Sequence, residues 1–211
     1  GLEIENYVGG SNADTFQVNS SRSANLDGDA GDDRFIFATG VTLTGTVDGA
    51  AGSDTLDWST SSSAQTVALT ATGSTDGFAG TATSLSGSFT NIDVLVGSQS
   101  GDSLTGLAAD STWNIDTQDT YVSTNTLTFA GFEALVGGAG VDTFAFHGSS
   151  TFTGTLDGGA GSDGFDFSDY SSDAVIDLQN ATVTGLNGTF TRIENFTGKK
   201  KKKKIVMNFL R

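Results

Sequence analysis

Six aspartates each stand five residues after the glycine that opens a short turn: Asp14 in GGSNADTF, Asp33 in GDAGDDRF, Asp54 in GAAGSDTL, Asp102 in GSQSGDSL, Asp142 in GGAGVDTF and Asp163 in GGAGSDGF. The opening glycines, Gly9, Gly28, Gly49, Gly97, Gly137 and Gly158, are separated by 19, 21, 48, 40 and 21 residues. These steps read as one or two turns of a coil of about 20 residues. Asp14, Asp33 and Asp54 then fall in one column, and Asp142 and Asp163 in another stretch of it. Coils stack about 4.8 Å apart, where two carboxylates repel by on the order of 3 kcal/mol at an effective dielectric near 20. A hard divalent cation offsets that repulsion, and calcium, which takes about six to eight oxygens in flexible geometry, suits it. The pairs Asp14/Asp33, Asp33/Asp54 and Asp142/Asp163 are the expected sites, with Asp27, Asp48 and Asp157, each just before an opening glycine, as further ligands. Asp102 has no motif-bearing neighbour one coil away.

The elements that would carry these turns are short strands. Phe16 and Val18, Phe35 and Phe37, Leu56 and Trp58, Phe144 and Phe146, and Phe165 and Phe167 form the same apolar pair two positions apart, just after the turn. Period two puts both members on one face of a strand, here the inside of the coil. Thr, Val, Phe, Ser and Gly dominate, and helix-favouring runs are missing. Longer blocks repeat as well: Val41 to Asp48 matches Ser150 to Asp157, and Gly87 to Ile92 (GSFTNI) matches Gly188 to Ile193 (GTFTRI). The stretch between Leu69 and Gly87 reads as a loop bulging from one coil. The expected fold is all-β, a parallel β-helix or β-roll solenoid with about 20 residues per coil, in a single array over residues 1–198. Residues 199–211, KKKKKKIVMNFLR, break the repeat after Gly198 and read as a separate Lys-rich tail, a scar, frameshift or disordered segment.

Charge limits the partners. All six lysines lie in the tail, so residues 1–198 set all 25 acids against Arg22, Arg34 and Arg192. Nucleic acid is repelled by such a surface, and no apolar run is long enough to span a bilayer. Catalysis has little to stand on. There is no cysteine and one histidine, His147, without a nucleophilic serine in any recognisable motif, and evenly repeated acids are what a scaffold produces. Trp58 aligns with inward Phe167, which leaves Trp113 as the aromatic free to stack on a sugar. Starting at Gly1 rather than methionine, the sequence reads as a processed product or a slice of a longer chain.

GGAGVDTFA and GGAGSDGFD resemble the haemolysin-type (RTX) calcium-binding nonapeptide G-G-x-G-x-D-x-U-x, and the wider frame from Gly158 through VIDL and RIEN to Gly198 is similar to repeat regions of large secreted bacterial adhesins. The resemblance covers residues 4–198. It implies a parallel β-roll, calcium bridging the turns of neighbouring coils, and folding outside the cell. Four copies depart from the motif, with Asn12 for the third glycine, Asp29 and Ala50 for the second, and Ser98 and Ser100 for both. Each coil also carries at most one copy, where typical rolls carry two. The expectation is a calcium-stiffened extracellular segment, a spacer, stalk or filament subunit that meets neighbouring repeats or other copies of itself end to end. The alternative is an adhesive module that binds carbohydrate or a cell surface through the 70–86 loop.

Overall fold

A computed structural model describes residues 4–199 and 204–206. Among them the fold is all-β without a helix, in mixed sheets. The described residues divide into two compact units, the first running to Thr105 and including Thr124–Phe132, the second formed by Gly106–Ser123 and the residues from Glu133 onward.

The first unit has two sheets. In one, Glu5–Gly10, Arg22–Asp29, Val47–Asp48 and Phe89–Ile92 pair in parallel, and in the other Thr15–Val18, Arg34–Phe37, Thr55–Asp57, Val94–Val96 and Thr126–Ala130 do the same. Thr15 pairs with Arg34 and Arg34 with Thr55, so the first rungs advance by 19 and 21 residues. The even step ends there. Val94 pairs with Thr55, a gap of 39, because the chain makes an antiparallel excursion in between. Thr66–Thr72 and Phe78–Ala82 pair with each other, and Phe78–Ala82 pairs antiparallel with Phe89–Ile92. The stretch expected to be a bulging loop is therefore mostly hairpin, since its alternating Val67, Leu69, Phe78 and Ala82 have a core to fill.

The second unit repeats the plan. Ala134–Val136, Phe152–Asp157 and Leu186–Thr191 pair in parallel, as do Ser111–Ile115, Asp142–Phe146, Gly164–Phe167 and Asn195–Gly198. Asp119–Val122 folds back antiparallel on Ser111–Ile115. A small third sheet joins Thr182–Val183, Val175–Asp177 and Lys204–Val206, the last in parallel. The remaining tail positions, 200–203 and 207–211, lie outside the described residues.

Aromatic pairs fill both cores at the positions that period two selects. Phe35, Phe37, Leu56, Trp58, Phe144, Phe146, Phe165 and Phe167 are all buried. Successive rungs stack: Phe16 on Phe35 with ring centres 4.9 Å apart, and Phe146 on Phe167 at 5.1 Å. Each buried ring contributes roughly 1.5–3 kcal/mol, which offsets much of the entropy of ordering a glycine-rich chain. Trp113 is buried too, against Tyr121 and Phe144. It presents no ring to a sugar, because it shares the inward face of Ser111–Ile115 with buried Ser111 and Ile115.

Candidate metal centre

The aspartates of the turns point inward and hold the preceding rung by its backbone. The N–H of Asp14 donates to Oδ1 of Asp33 at 2.7 Å, that of Asp33 to Oδ1 of Asp54 at 2.8 Å, and that of Asp54 to Asp93 at 3.2 Å. In the second unit the N–H of Asp142 donates to Asp163 at 2.8 Å and that of Asp163 to Glu194 at 2.9 Å. The expected columns thus exist as hydrogen-bonded ladders, and backbone amides supply part of the positive potential that the spacing alone would assign to metal. Asp102 stands in an equivalent link: the N–H of Gln65 donates to it, as do the N–H and hydroxyl of Ser98. Its neighbour at the preceding rung is a glutamine.

The turns come in two forms, set by the residue before the opening glycine. Where that residue is valine, at Val8, Val96 and Val136, the N–H after the glycine (Gly10, Ser98, Gly138) donates to Oδ2 of the inner aspartate. Where it is Asp27, Asp48 or Asp157, that aspartate takes the amide instead, from Asp29, Ala50 and Gly159 at 3.0, 3.0 and 3.1 Å. These three residues have φ of 71°, 68° and 90°, the left-handed conformation that such an Asx turn imposes. The consequence is local and chemical. At Asp33 and Asp54 the inner Oδ2 is buried with no hydrogen-bond partner.

Asp27, Asp48 and Asp157 are thereby engaged as turn acceptors. Asp48 also accepts from the side-chain amide of Asn91 at 2.7 Å, and Asp157 is clasped by the Arg192 guanidinium. At Asp157 an arginine supplies the positive charge expected of a metal. Asn91 and Arg192 match each other in the repeated blocks and share φ of 53°, so one backbone device serves both units.

The orphaned oxygen of Asp54 has acidic company. Asp54, Asp76 and Asp93 each place a carboxylate oxygen within 4.8 Å of the others. Asp76 sits in the turn of the antiparallel excursion, and its Oδ1 is likewise buried and unpartnered. Burial, then the neighbouring charges of Asp33, Asp93 and Asp76, push Asp54 up to about 7 against the amide bond from Asp33. Burial and the charge of Asp76 raise Asp93 as well. Asp33, Asp142 and Asp163 are raised chiefly by burial. Asp57 runs the other way: burial is outweighed by the Ser59 amide and by Arg34, and the carboxyl is held below the usual range.

Sequence reasoning missed Asp76 and Asp93. For Asp93 the signal was present, because the block that pairs Ile92 with Ile193 also pairs Asp93 with Glu194, and both residues receive the last N–H of their ladders. For Asp76 there was none. The remaining chemistry is unremarkable: the His147 ring faces Asn114 and Asp169, and the Ser150 hydroxyl donates to backbone carbonyls. Compared with protein-family models, curated proteins and solved structures, the chain matches none.

Proposed function

We propose that this chain is a segment of a parallel β-solenoid with a structural role, a spacer, stalk or filament body of an extracellular bacterial protein. The observation that carries the reading is the aspartate ladder. One hydrogen bond, from the N–H of an inner aspartate to the carboxylate one rung on, recurs across 19, 21 and 21 residues in two separate units. Repetition of a single contact with stacked aromatics behind it serves extension of an array, in which each rung is stabilised by its neighbours.

Calcium adds to such a column without being its precondition, because amides already face the buried charges. Chelation with EGTA is expected to lower the melting temperature while leaving the strand signal in circular dichroism. The acidic surface repels nucleic acid and suits association through backbone edges instead. Among the described residues Glu5–Gly10 pairs on one side only, and an open parallel edge takes a further strand readily. Electron microscopy at rising protein concentration tests the filament form: rods that lengthen by whole chains support it, and single particles at every concentration overturn it.

A further inference from the structure

We propose that Asp54, Asp76 and Asp93 bind one hard divalent cation, and that this ion latches the excursion hairpin to the coil it leaves. The site lies outside the repeated turn pattern, since two of its three residues belong to no copy of the motif. It deepens the cation part of the reading above and does not depend on the solenoid assignment.

The geometry begins with where the three carboxylates come from. Asp54 immediately precedes Thr55–Asp57, Asp76 lies between Thr66–Thr72 and Phe78–Ala82, and Asp93 lies between Phe89–Ile92 and Val94–Val96. Three chain segments therefore converge on one point. One oxygen from each lies within 4.8 Å of the others, close enough for all three to reach one ion at metal–oxygen distances of about 2.3–2.6 Å.

An independent observation points to a ligand. Asp54 is fully buried, its Oδ1 accepts the Asp33 N–H, and its Oδ2 has no partner because the Asp48 Asx turn has taken the amide that reaches the equivalent oxygen in the valine-type turns. Asp76 Oδ1 is buried and unpartnered in the same cluster. Two carboxylates that approach within 4.8 Å, each with a buried oxygen left unsatisfied, are costly unless a proton or a cation joins them. The arginines among the described residues are engaged elsewhere: Arg34 pairs with Asp57, Arg192 with Asp157, and Arg22 donates to Ser20.

The donors are all oxygens, which selects a hard ion such as calcium over zinc or copper. Water and backbone carbonyls complete its shell. The latch follows from what else holds the 73–77 turn. The N–H of Thr75 donates to Asn91 at 2.9 Å, the Asn125 amide donates to the Gly77 carbonyl at 2.7 Å, and the N–H of Gly52 reaches Asp76 only at 3.4 Å. These bonds draw Asp76 toward two like charges, and the ion turns that repulsion into attachment.

The test is calorimetric titration of the EGTA-stripped full chain with calcium chloride, repeated on Asp76→Asn and Asp93→Asn, with hydrogen exchange followed over residues 66–82. The expected result is a saturable site with a dissociation constant of about 0.1–1 mM or tighter. Each variant should weaken it at least about tenfold, and calcium should slow exchange at 73–77 in the wild type alone. Circular dichroism checks that the variants fold; if one does not, the other decides. Heat uptake that never saturates up to about 10 mM, or a site that both folded variants leave intact, overturns the proposal. Filament formation in the variants reports separately on the solenoid reading.

Discussion

The N–H of Asp33 donates to Oδ1 of Asp54 at 2.8 Å, across 21 residues of chain. That bond makes each inner aspartate both the acceptor for the rung before it and a donor to the rung after it. Column order thus follows from one repeated contact, while the residue before each opening glycine sets the form of its turn.

The opening glycines are fixed by the same contact. A Cβ on Gly49 would clash with the Asn91 carbonyl and stand 2.5 Å from Asp54 Oδ2, whereas one on Gly101 would meet nothing within 4 Å. Gly49→Ala is expected to cost about 1–3 kcal/mol or more, and Gly101→Ala to stay within about 0.5 kcal/mol. Urea unfolding of the two variants compares them. Equal stabilities would show that the aspartate does not occupy the glycine's side.

Asp163→Asn retains an oxygen for the Asp142 N–H, and Asp163→Ala leaves that buried amide without an acceptor. The alanine variant should be less stable than the asparagine variant by about 1–3 kcal/mol. If the asparagine variant loses as much as the alanine one, the negative charge matters more than the bond.

Stability should depend on pH through Asp54. Its carboxyl is raised from 3.8 to about 7 in the fold, with Asp33, Asp93 and Asp76 facing it. A raised acid binds its proton more tightly when folded, so its contribution is full below about pH 4 and is lost as pH climbs to about 7. In EGTA the melting temperature is expected to fall between about pH 5 and pH 8, and calcium is expected to flatten that slope. Melting curves at both pH values, with and without calcium, measure it. An EGTA slope that calcium leaves unchanged would separate the titration from metal binding.

Trp113 packs with Phe144 at 5.8 Å and with Tyr121 at 4.6 Å in the second unit. Trp113→Ala is expected to cost about 3–5 kcal/mol, read from denaturant midpoints. A loss under about 1 kcal/mol would mean that the ring is not part of the core.

Much of the fold is local enough to be legible in the residues. The apolar pairs obey period two, and a strand that buries one face has no freedom to place Phe35 and Phe37 anywhere else. The aspartate spacing of 19 and 21 residues likewise suffices to put Asp14, Asp33 and Asp54 in register, and the hydrogen bonds that join them keep that register. What escapes such reasoning lies after Trp58, where the strand pairing no longer follows the motif spacing. A hairpin of 66–82 intervenes, and its alternating residues do not say against which strand it packs.

The sequence by itself determined the turn, the strand that follows it and the identity of the inner carboxylates, because each depends on residues a few positions apart. Only the tertiary structure decided that Asp76 meets Asp54 and Asp93. By contrast, whether Asp48 takes the Ala50 amide or, as at Val136, the Gly138 amide is left to Asp142 is local, set by the residue before the glycine. The meeting of the three carboxylates hangs on which distant strands pair, and pairing is settled by burial summed over a whole sheet rather than by any short run of residues.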